Sequence, residues 1–264
     1  METAIPSIRV PDPSGRSLAS IIEDAPPSAT IELAPGRYEG TLELRRPITL
    51  KGAGDLTRLI GDSGRPAIEI DCKARGLIFI ESVSVTSSRG GDGGGVRVCR
   101  GRVRMYNVHG SDCTARGDGG FLWVGGGEVE ASLLRVDGCS AARGGAIALA
   151  QADRFILRDS EIRDCSAERG GGLFAGPGPA PQLSSVVFGG TRATKPSGGQ
   201  VVCFEGPRSG DVVLHRVRFE DAPLGQPLVL QGEGQARLVI RRCDMPSDVL
   251  RNPGIVDEGH NRWR

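Results

Sequence analysis

The sequence predicts an all-β protein, a single-stranded right-handed parallel β-helix of about nine coils and three sheets. The first observation is internal repetition, since three segments align without gaps: Arg102–Val124, Glu128–Ala150 and Arg154–Gly176. Within them Cys113, Cys139 and Cys165 recur at intervals of 26 residues. The second observation is that apolar residues alternate with a period of two in each copy, which indicates short strands. The third is the 40 glycines, which supply bends between those strands.

A repeat of three short strands cannot bury its apolar side chains alone. Stacking one coil on the next buries them in a continuous column, with parallel strands about 4.8 Å apart. No window of the repeats shows the 3.6-residue spacing of an amphipathic helix, so helical solenoids are disfavoured. The repeat length therefore favours the three-sheet, right-handed type of coil.

The elements follow in order along a single domain, residues 1–264. A short amphipathic segment at about residues 15–25, which ends before Pro26, predicts a helix that caps the first coil and protects its strand edge. The coils are expected to occupy residues 29–250. Residues 251–264 are polar and are expected to form an irregular tail.

Composition excludes several classes of function. The net charge is +1, from 33 basic and 32 acidic residues, so no polybasic arm for nucleic acid is expected. No apolar run approaches the roughly 18 residues of a membrane span. The N-terminal residues show no secretory signal, and the seven cysteines include no CxxC pair. We therefore expect a cytoplasmic bacterial protein with free buried thiols and without a metal or cofactor.

Two stretches resemble known families. The run TIELAPGRYEGTLELRRPITLKGAG, Thr30–Gly54, resembles the opening coils of bacterial right-handed β-helix proteins of the pectin-lyase-like superfamily. The GGAI at Gly144–Ile147 resembles the repeat of chlamydial polymorphic outer-membrane proteins and related adhesin passengers. The adhesins' Phe-x-x-Asn element, signal peptide and translocator barrel are missing. The resemblance implies the fold, whereas the superfold itself hosts lyases, hydrolases, esterases, adhesins and tail spikes.

The strand after each glycine pair predicts an apolar row on the outside of the rod. In the gapless alignment Phe121 and Val201 point inward, so their successors point outward. The predicted outward row is Arg97, Leu122, Ala148, Phe174, Val202 and Val229. Five consecutive apolar residues on a water-facing row indicate a stripe roughly 20 Å long. Either the chain's own loops or tail cover this stripe, or it docks a protein partner, or the protein self-associates through it.

The leading functional interpretation is a non-enzymatic scaffold that docks a protein through this row, in a bacterial signalling, defence or assembly system. The bend before the row carries Arg116, Arg143, Glu168 and Arg169, which are expected either to form a charged rim or simply to keep the edge soluble. A self-assembling structural protein is a further alternative. The predicted capping helix argues against end-to-end growth.

The main alternative is a carbohydrate-binding or polysaccharide-degrading protein. Asp112 and Asp164 share one column two coils apart, roughly 9.6 Å, near the carboxylate spacing of inverting glycosidases. The hydrolases' Asn-Thr-Asp and Gly-His-Gly elements are absent, so both residues are expected to be solvated bend aspartates, and no catalytic residue is assigned. An enzyme is accordingly less favoured than a binding protein.

The remaining candidates have structural interpretations. His109 shares an outward column with Arg135 and Glu161, which indicates a solvated surface residue. The repeated cysteines at 113, 139 and 165 are expected to pack inside a bend, because a regular ladder offers no tetrahedral metal geometry.

Overall fold

The parallel β-helix is confirmed by the strand pairing in a computed structural model. The structure describes residues 6–11, 16–87, 91–195, 201–206, 208–221, 228–231, 237–245 and 255–263. All strand pairs in those residues are parallel. The rod has about eight turns, slightly fewer than expected, because its second sheet contains eight strands.

The described residues form one helix and 29 strands. The helix α1 is Leu18–Asp24. The strands before the repeats are β1 Ser7–Val10, β2 Thr30–Leu33, β3 Gly36–Glu39, β4 Leu42–Leu44, β5 Thr49–Ile60, β6 Ile68–Asp71 and β7 Leu77–Thr86. Those of the repeats are β8 Val96–Arg100, β9 Arg102–Ser111, β10 Leu122–Val124, β11 Glu128–Ser132, β12 Arg135–Asp137, β13 Ser140–Arg143, β14 Ile147–Leu149, β15 Arg154–Arg163, β16 Ser166–Arg169 and β17 Leu173–Ala175. The last are β18 Gly178–Pro179, β19 Gln182–Gly189, β20 Arg192–Ala193, β21 Val202–Glu205, β22 Arg208–Ser209, β23 Val212–His215, β24 Arg218–Glu220, β25 Leu228–Gln231, β26 Leu238–Arg241, β27 Asp244–Met245, β28 Ile255–Asp257 and β29 Arg262–Trp263.

Each coil contributes strands to separate sheets, in which neighbours along the rod pair. A sixteen-stranded sheet runs β1-β2-β5-β7-β9-β11-β15-β19-β23-β26-β28, with β3, β12, β24, β27 and β29 paired beside this path. An eight-stranded sheet runs β4-β6-β8-β10-β14-β17-β21-β25 and is called the first face. Shorter sheets are β13-β16-β20 and β18-β22.

A row of left-handed residues bends the largest sheet into two faces. In β9, Asn107 has φ of 52° and separates residues 102–106, on the second face, from residues 108–111, on the third. The equivalent residue of each coil is also left-handed: Ser82, Asn107, Leu133, Asp159, Ser185, Arg216 and Arg242, here called the bend column. The three predicted sheets are thus confirmed, with the bend column as the corner between two of them.

The core is a stack of side chains inside the rod. On the second face one buried column contains Ile31, Leu50, Ile80, Met105, Ala131, Leu157, Leu183, Leu214 and Ile240. Burying each large apolar side chain stabilises the fold by roughly 1.5–3 kcal/mol. Each contact joins residues about one coil apart in sequence, as expected for a solenoid.

The ends of the rod differ in part from the prediction. The capping helix α1 is confirmed, with the Ser17 hydroxyl accepting a hydrogen bond from the Ser20 amide at 3.2 Å and with Ile21 and Ile22 buried. An unpredicted strand, β1, precedes it and pairs with β2. The irregular tail is wrong for its described residues, since β28 and β29 add a further partial coil. No helix in the described ranges is long and apolar enough to cross a membrane.

Candidate functional site

A groove of about 320 Å³ opens along the bend column, between the second and third faces. Its lining comes from successive coils: Gly54, Asp55, Asn107, Val108, His109, Leu133, Leu134, Arg135, Asp159 and Glu161. Asn107, Leu133 and Asp159 are consecutive members of the bend column, so the left-handed corner forms the floor of the groove. Polar side chains from the third face form one wall.

A bulge in β5 brings Asp55 into this groove. Gly54 pairs with Val83 and Arg58 with Ser84, so the three residues of β5 between Gly54 and Arg58 have no partner in β7. Thr57 anchors the bulge: its hydroxyl accepts from the Ala53 amide at 3.0 Å and donates to the Ala34 carbonyl at 3.3 Å. Bulges re-aim side chains in this way, and here the bulge carries Asp55 across the coil that lies between β5 and His109.

His109 lies between two carboxylates. Its Nδ1 is 2.9 Å from Asp55 Oδ1, and its Nε2 is 3.2 Å from Asp137 Oδ2. The imidazole is 26% exposed, whereas the Asp55 side chain is 61% exposed. Both contacts are hydrogen bonds when both ring nitrogens carry protons, because a carboxylate can only accept. The two aspartates therefore fix the ring orientation, and of the two only Asp55 lines the groove.

The groove offers hydrogen-bond donors and acceptors that match hydroxyl groups. Both imidazole nitrogens of His109 lie within hydrogen-bond distance of a carboxylate oxygen. The carboxylates of Asp159 and Glu161, the amide of Asn107 and the guanidinium of Arg135 supply acceptors and donors along the groove. Among the described residues no group of three or more His, Cys, Asp or Glu side chains is arranged to hold a metal ion.

The predicted column of His109, Arg135 and Glu161 is confirmed by the register of the third face. His109 is 26% exposed and the β5 bulge covers it on one side, so it is half-buried rather than fully solvated. The bend aspartates Asp112 and Asp164 are confirmed as exposed, with φ of 52° and 50°.

The predicted outward row on the first face is wrong at two positions. Leu122 and Val202 are fully buried and continue the inward column with Ile147 and Leu173. The outward residue is the next one along, Trp123 rather than Leu122, and Cys203 rather than Val202. The outward row is Arg97, Trp123, Ala148, Phe174, Cys203 and Val229, and is called the first-face row.

An insertion explains the error at Leu122. Thr114 pairs with Ser140, 26 residues on, but Asp118 pairs with Arg143, 25 residues on. The bend between them is one residue longer in the earlier coil, so the gapless alignment shifts by one after it. A shift of one residue moves every following side chain to the opposite face of its strand.

The first-face row is outward-facing but covered at its centre. Ala148, Phe174 and Cys203 are at most 3% exposed and form their own small apolar cluster, against which Trp123 packs. The Arg143 guanidinium lies over the Phe174 ring, 4.7 Å from its centroid.

Side chains from the bends provide this cover. Arg143 donates two hydrogen bonds to the buried carboxylate of Asp118, at 2.9 and 2.5 Å, which hold it over the row. Arg169 pairs with Glu205 at 2.5 Å. Arg143 therefore covers the row instead of forming a rim beside it, whereas Arg116 is exposed. The side chain of Val229, at the end of the row, lies outside the described residues.

The cysteine column is confirmed as packing. Cys113, Cys139 and Cys165 are fully buried, and all seven cysteines are free thiols. The Cys165 thiol donates to the Arg163 carbonyl at 3.1 Å. Hydrogen bonding with the neighbouring Cys139 thiol, and then burial, raises the pKa of Cys165, so this thiol stays protonated and unreactive.

Comparisons with known proteins leave the function open. No protein-family model matches the chain, and no curated protein matches it. Among solved structures, it is similar to a pectin methylesterase from Aspergillus niger (TM-score 0.44, 12% identity, covering 100% of this chain and 85% of that one). It is also similar to a pectin methylesterase mutant in complex with a hexasaccharide (TM-score 0.43, 12% identity, covering 99% and 93%). The resemblance to polymorphic outer-membrane repeats stays a prediction.

Proposed function

We propose that this protein binds carbohydrate in the groove along the bend column. The observation that carries the proposal is an open groove lined by polar side chains from successive coils. These side chains surround the contact of His109 with Asp55 and Asp137. Small-molecule sites are concave, with a few convergent polar groups that fix orientation. This groove has that form.

The chemistry of the lining matches sugar hydroxyls, which both donate and accept hydrogen bonds. Asp55, Asp159 and Glu161 can accept, Arg135 can donate, and Asn107 can do both. Coils are about 4.8 Å apart, so these groups recur along the rod axis. A regular spacing of polar groups suits an extended chain of repeating units.

An exposed apolar side chain lies among these polar groups. Leu133, on the floor of the groove, is 44% exposed. The C–H faces of a sugar ring can pack against such an apolar surface. The groove therefore offers both kinds of contact that a pyranose ring requires.

The test is isothermal titration calorimetry with a panel of neutral, uronic-acid and amino-sugar oligosaccharides. We expect wild type to bind at least one class, and His109→Ala to bind it tenfold or more weakly, about 1.4 kcal/mol. His109→Ala removes the group that orients both aspartates, so the loss arises inside the groove. Analysis of the same mixtures for cleavage or de-esterification products establishes whether binding leads to turnover.

His215→Ala is the matched control, because His215 is a surface histidine of the second face that does not line this groove. It is expected to bind like wild type. Failure of wild type to bind any member of the panel at millimolar concentration overturns the proposal, as does equal affinity in His109→Ala.

The docking role inferred from the sequence stays a prediction, as do self-association and a cytoplasmic location. Its main argument is weakened, because Leu122 and Val202 are buried and the centre of the first-face row is covered. The bend-column groove is open to solvent in the described residues, and for that reason carbohydrate binding is preferred here.

A further inference from the structure

A second recess, of about 360 Å³, lies further along the same bend column, toward the C-terminal end of the rod. Its cationic lining comes from three successive coils. Arg216 and Arg242 are consecutive members of the bend column, and Arg218 and Arg262 come from the third face. His260 closes the end of the recess.

The recess has an excess of positive charge. Four guanidinium groups face one lining carboxylate, that of Asp244. Arg218 has a distant partner in Glu220, at 3.7 Å, and Glu220 also pairs with Arg163. Within the described residues neither Arg216 nor Arg242 forms an ion pair, in contrast to the paired arginines of the second face, such as Arg104 with Glu130.

The backbone holds these two arginines in place. Arg216 and Arg242 have φ of 55° and 53°, a conformation that residues other than glycine seldom adopt. The Arg216 amide donates to the Arg241 carbonyl at 3.0 Å, and the Arg242 amide to the Gly259 carbonyl at 3.3 Å. The two side chains therefore leave the corner of adjacent coils, about 4.8 Å apart, on the same side.

The pKa of the neighbouring His215 is shifted by burial and by the same positive charges. Burial, and then the charges of Arg216, Arg242 and Arg241, lower the pKa of His215. Like charges held close together repel one another, and an anion between them relieves that repulsion.

We propose that the recess lined by Arg216, Arg218, Arg242 and Arg262 is a binding site for a phosphate or sulfate group. Guanidinium groups bind such tetrahedral oxyanions through paired N–H donors, and four arginines line this one concave surface. The site is separate from the carbohydrate groove and does not depend on it. The two sites share the bend column, with Ser185 marking the coil between Asp159 and Arg216.

The experiment titrates inorganic phosphate and, separately, sulfate into the full chain by calorimetry at constant ionic strength. Wild type is expected to bind, and the double variant Arg216→Gln/Arg242→Gln to bind at least tenfold more weakly. Sodium chloride at matched ionic strength is expected to give no saturable heat. A preference for phosphate over sulfate, or the reverse, identifies the group.

Arg241→Gln is the matched control. It removes the same charge one residue away, from the outward column of the second face, and does not line the recess. It is expected to bind like wild type. Equal loss in Arg241→Gln would show general charge attraction and overturn the proposal, as would unchanged binding in the double variant.

A second variant separates binding from folding. Arg216→Gly/Arg242→Gly is expected to melt at or above the wild-type temperature in chloride buffer, because glycine adopts positive φ without strain, and to lose phosphate binding. A second readout is the His215 pKa measured by NMR, which is expected to rise when phosphate binds to wild type. If that pKa does not move while phosphate is bound, the anion lies elsewhere and the proposed site is wrong.

Discussion

The first-face row and the bend column both face outward from the same coils, but they differ in exposure to solvent. On the first face the outward residues Ala148, Phe174 and Cys203 are covered by side chains of the neighbouring bends. In the bend column Leu133 and the polar residues beside it stay open to solvent. Strand alternation determines the direction of a side chain, and its cover depends on what the adjacent bend supplies.

The largest effect that would test this comparison is at Leu122. Leu122→Glu is expected to unfold the protein or to lower its free energy of unfolding by about 5 kcal/mol, because an unpaired charge enters the core. Urea unfolding followed by circular dichroism measures this. Leu56→Glu, at a leucine that is 66% exposed in the β5 bulge, is the control and is expected to unfold at the wild-type midpoint. A wild-type midpoint for Leu122→Glu would restore the outward orientation.

The cover over the first-face row has a measurable strength. Phe174→Ala is expected to lower the free energy of unfolding by about 3 kcal/mol through lost burial. Arg143→Gln is expected to lower it by about 1 kcal/mol, since it loses the contact with the Phe174 ring and leaves the Asp118 carboxylate partly unpaired.

A double-mutant cycle tests whether Arg143 and Phe174 interact with each other. If Arg143 covers Phe174, the two losses combine to less than their sum when both residues are replaced. Strict additivity would show that the arginine contributes only through Asp118.

Replacing a residue of the bend column is expected to raise the free energy of unfolding, whereas the replacements on the first face lower it. Leu133→Gly is expected to raise the free energy of unfolding by up to about 1 kcal/mol, because Leu133 has φ of 52° and is exposed. Leu134→Gly, one residue along, is the contrast and is expected to destabilise strongly, since Leu134 is buried in the core. Thermal melts of the two variants measure both effects. Destabilisation by Leu133→Gly would mean that its side chain supports the corner.

The smallest expected effect is on pH dependence. The pKa of His215 is lowered in the folded protein by burial and by nearby arginines, so the unfolded chain binds a proton more readily. Stability is therefore lost as the pH falls through about 6.5, the unfolded value, toward the folded pKa. His215→Gln is expected to melt at the wild-type temperature at pH 8 and slightly higher at pH 5. A lower melting temperature than wild type at pH 5 would contradict this sign.

Sequence periodicity predicted the fold because each coil buries apolar side chains at equivalent positions. The three faces and the column of His109, Arg135 and Glu161 follow from alternation and a 26-residue spacing. The capping helix follows from the amphipathic segment that ends before Pro26. One extra residue in the bend after Thr114 was enough to misplace Leu122, since a single-residue shift is invisible to a gapless comparison.

The candidate site was harder to predict for a related reason. Asp55 reaches His109 only because β5 has residues that have no partner in β7. The difference is one of strand length, since β5 has 12 residues whereas β7 and β9 have 10 each. Arg216 and Arg242 were missed because the last coils keep the hydrophobic pattern but vary in length, so their corner positions could not be aligned.

The bend column also places the two proposed sites at a distance that is set by the number of coils between them. Partners in neighbouring strands are about one coil apart in sequence, so a whole repeat can be inserted or deleted without changing the contacts within any other coil. A repeat added between Asp159 and Ser185 would move the arginine recess about 4.8 Å farther from the His109 groove and leave both intact. The distance between the two sites is thus a quantity that duplication can adjust in uniform steps.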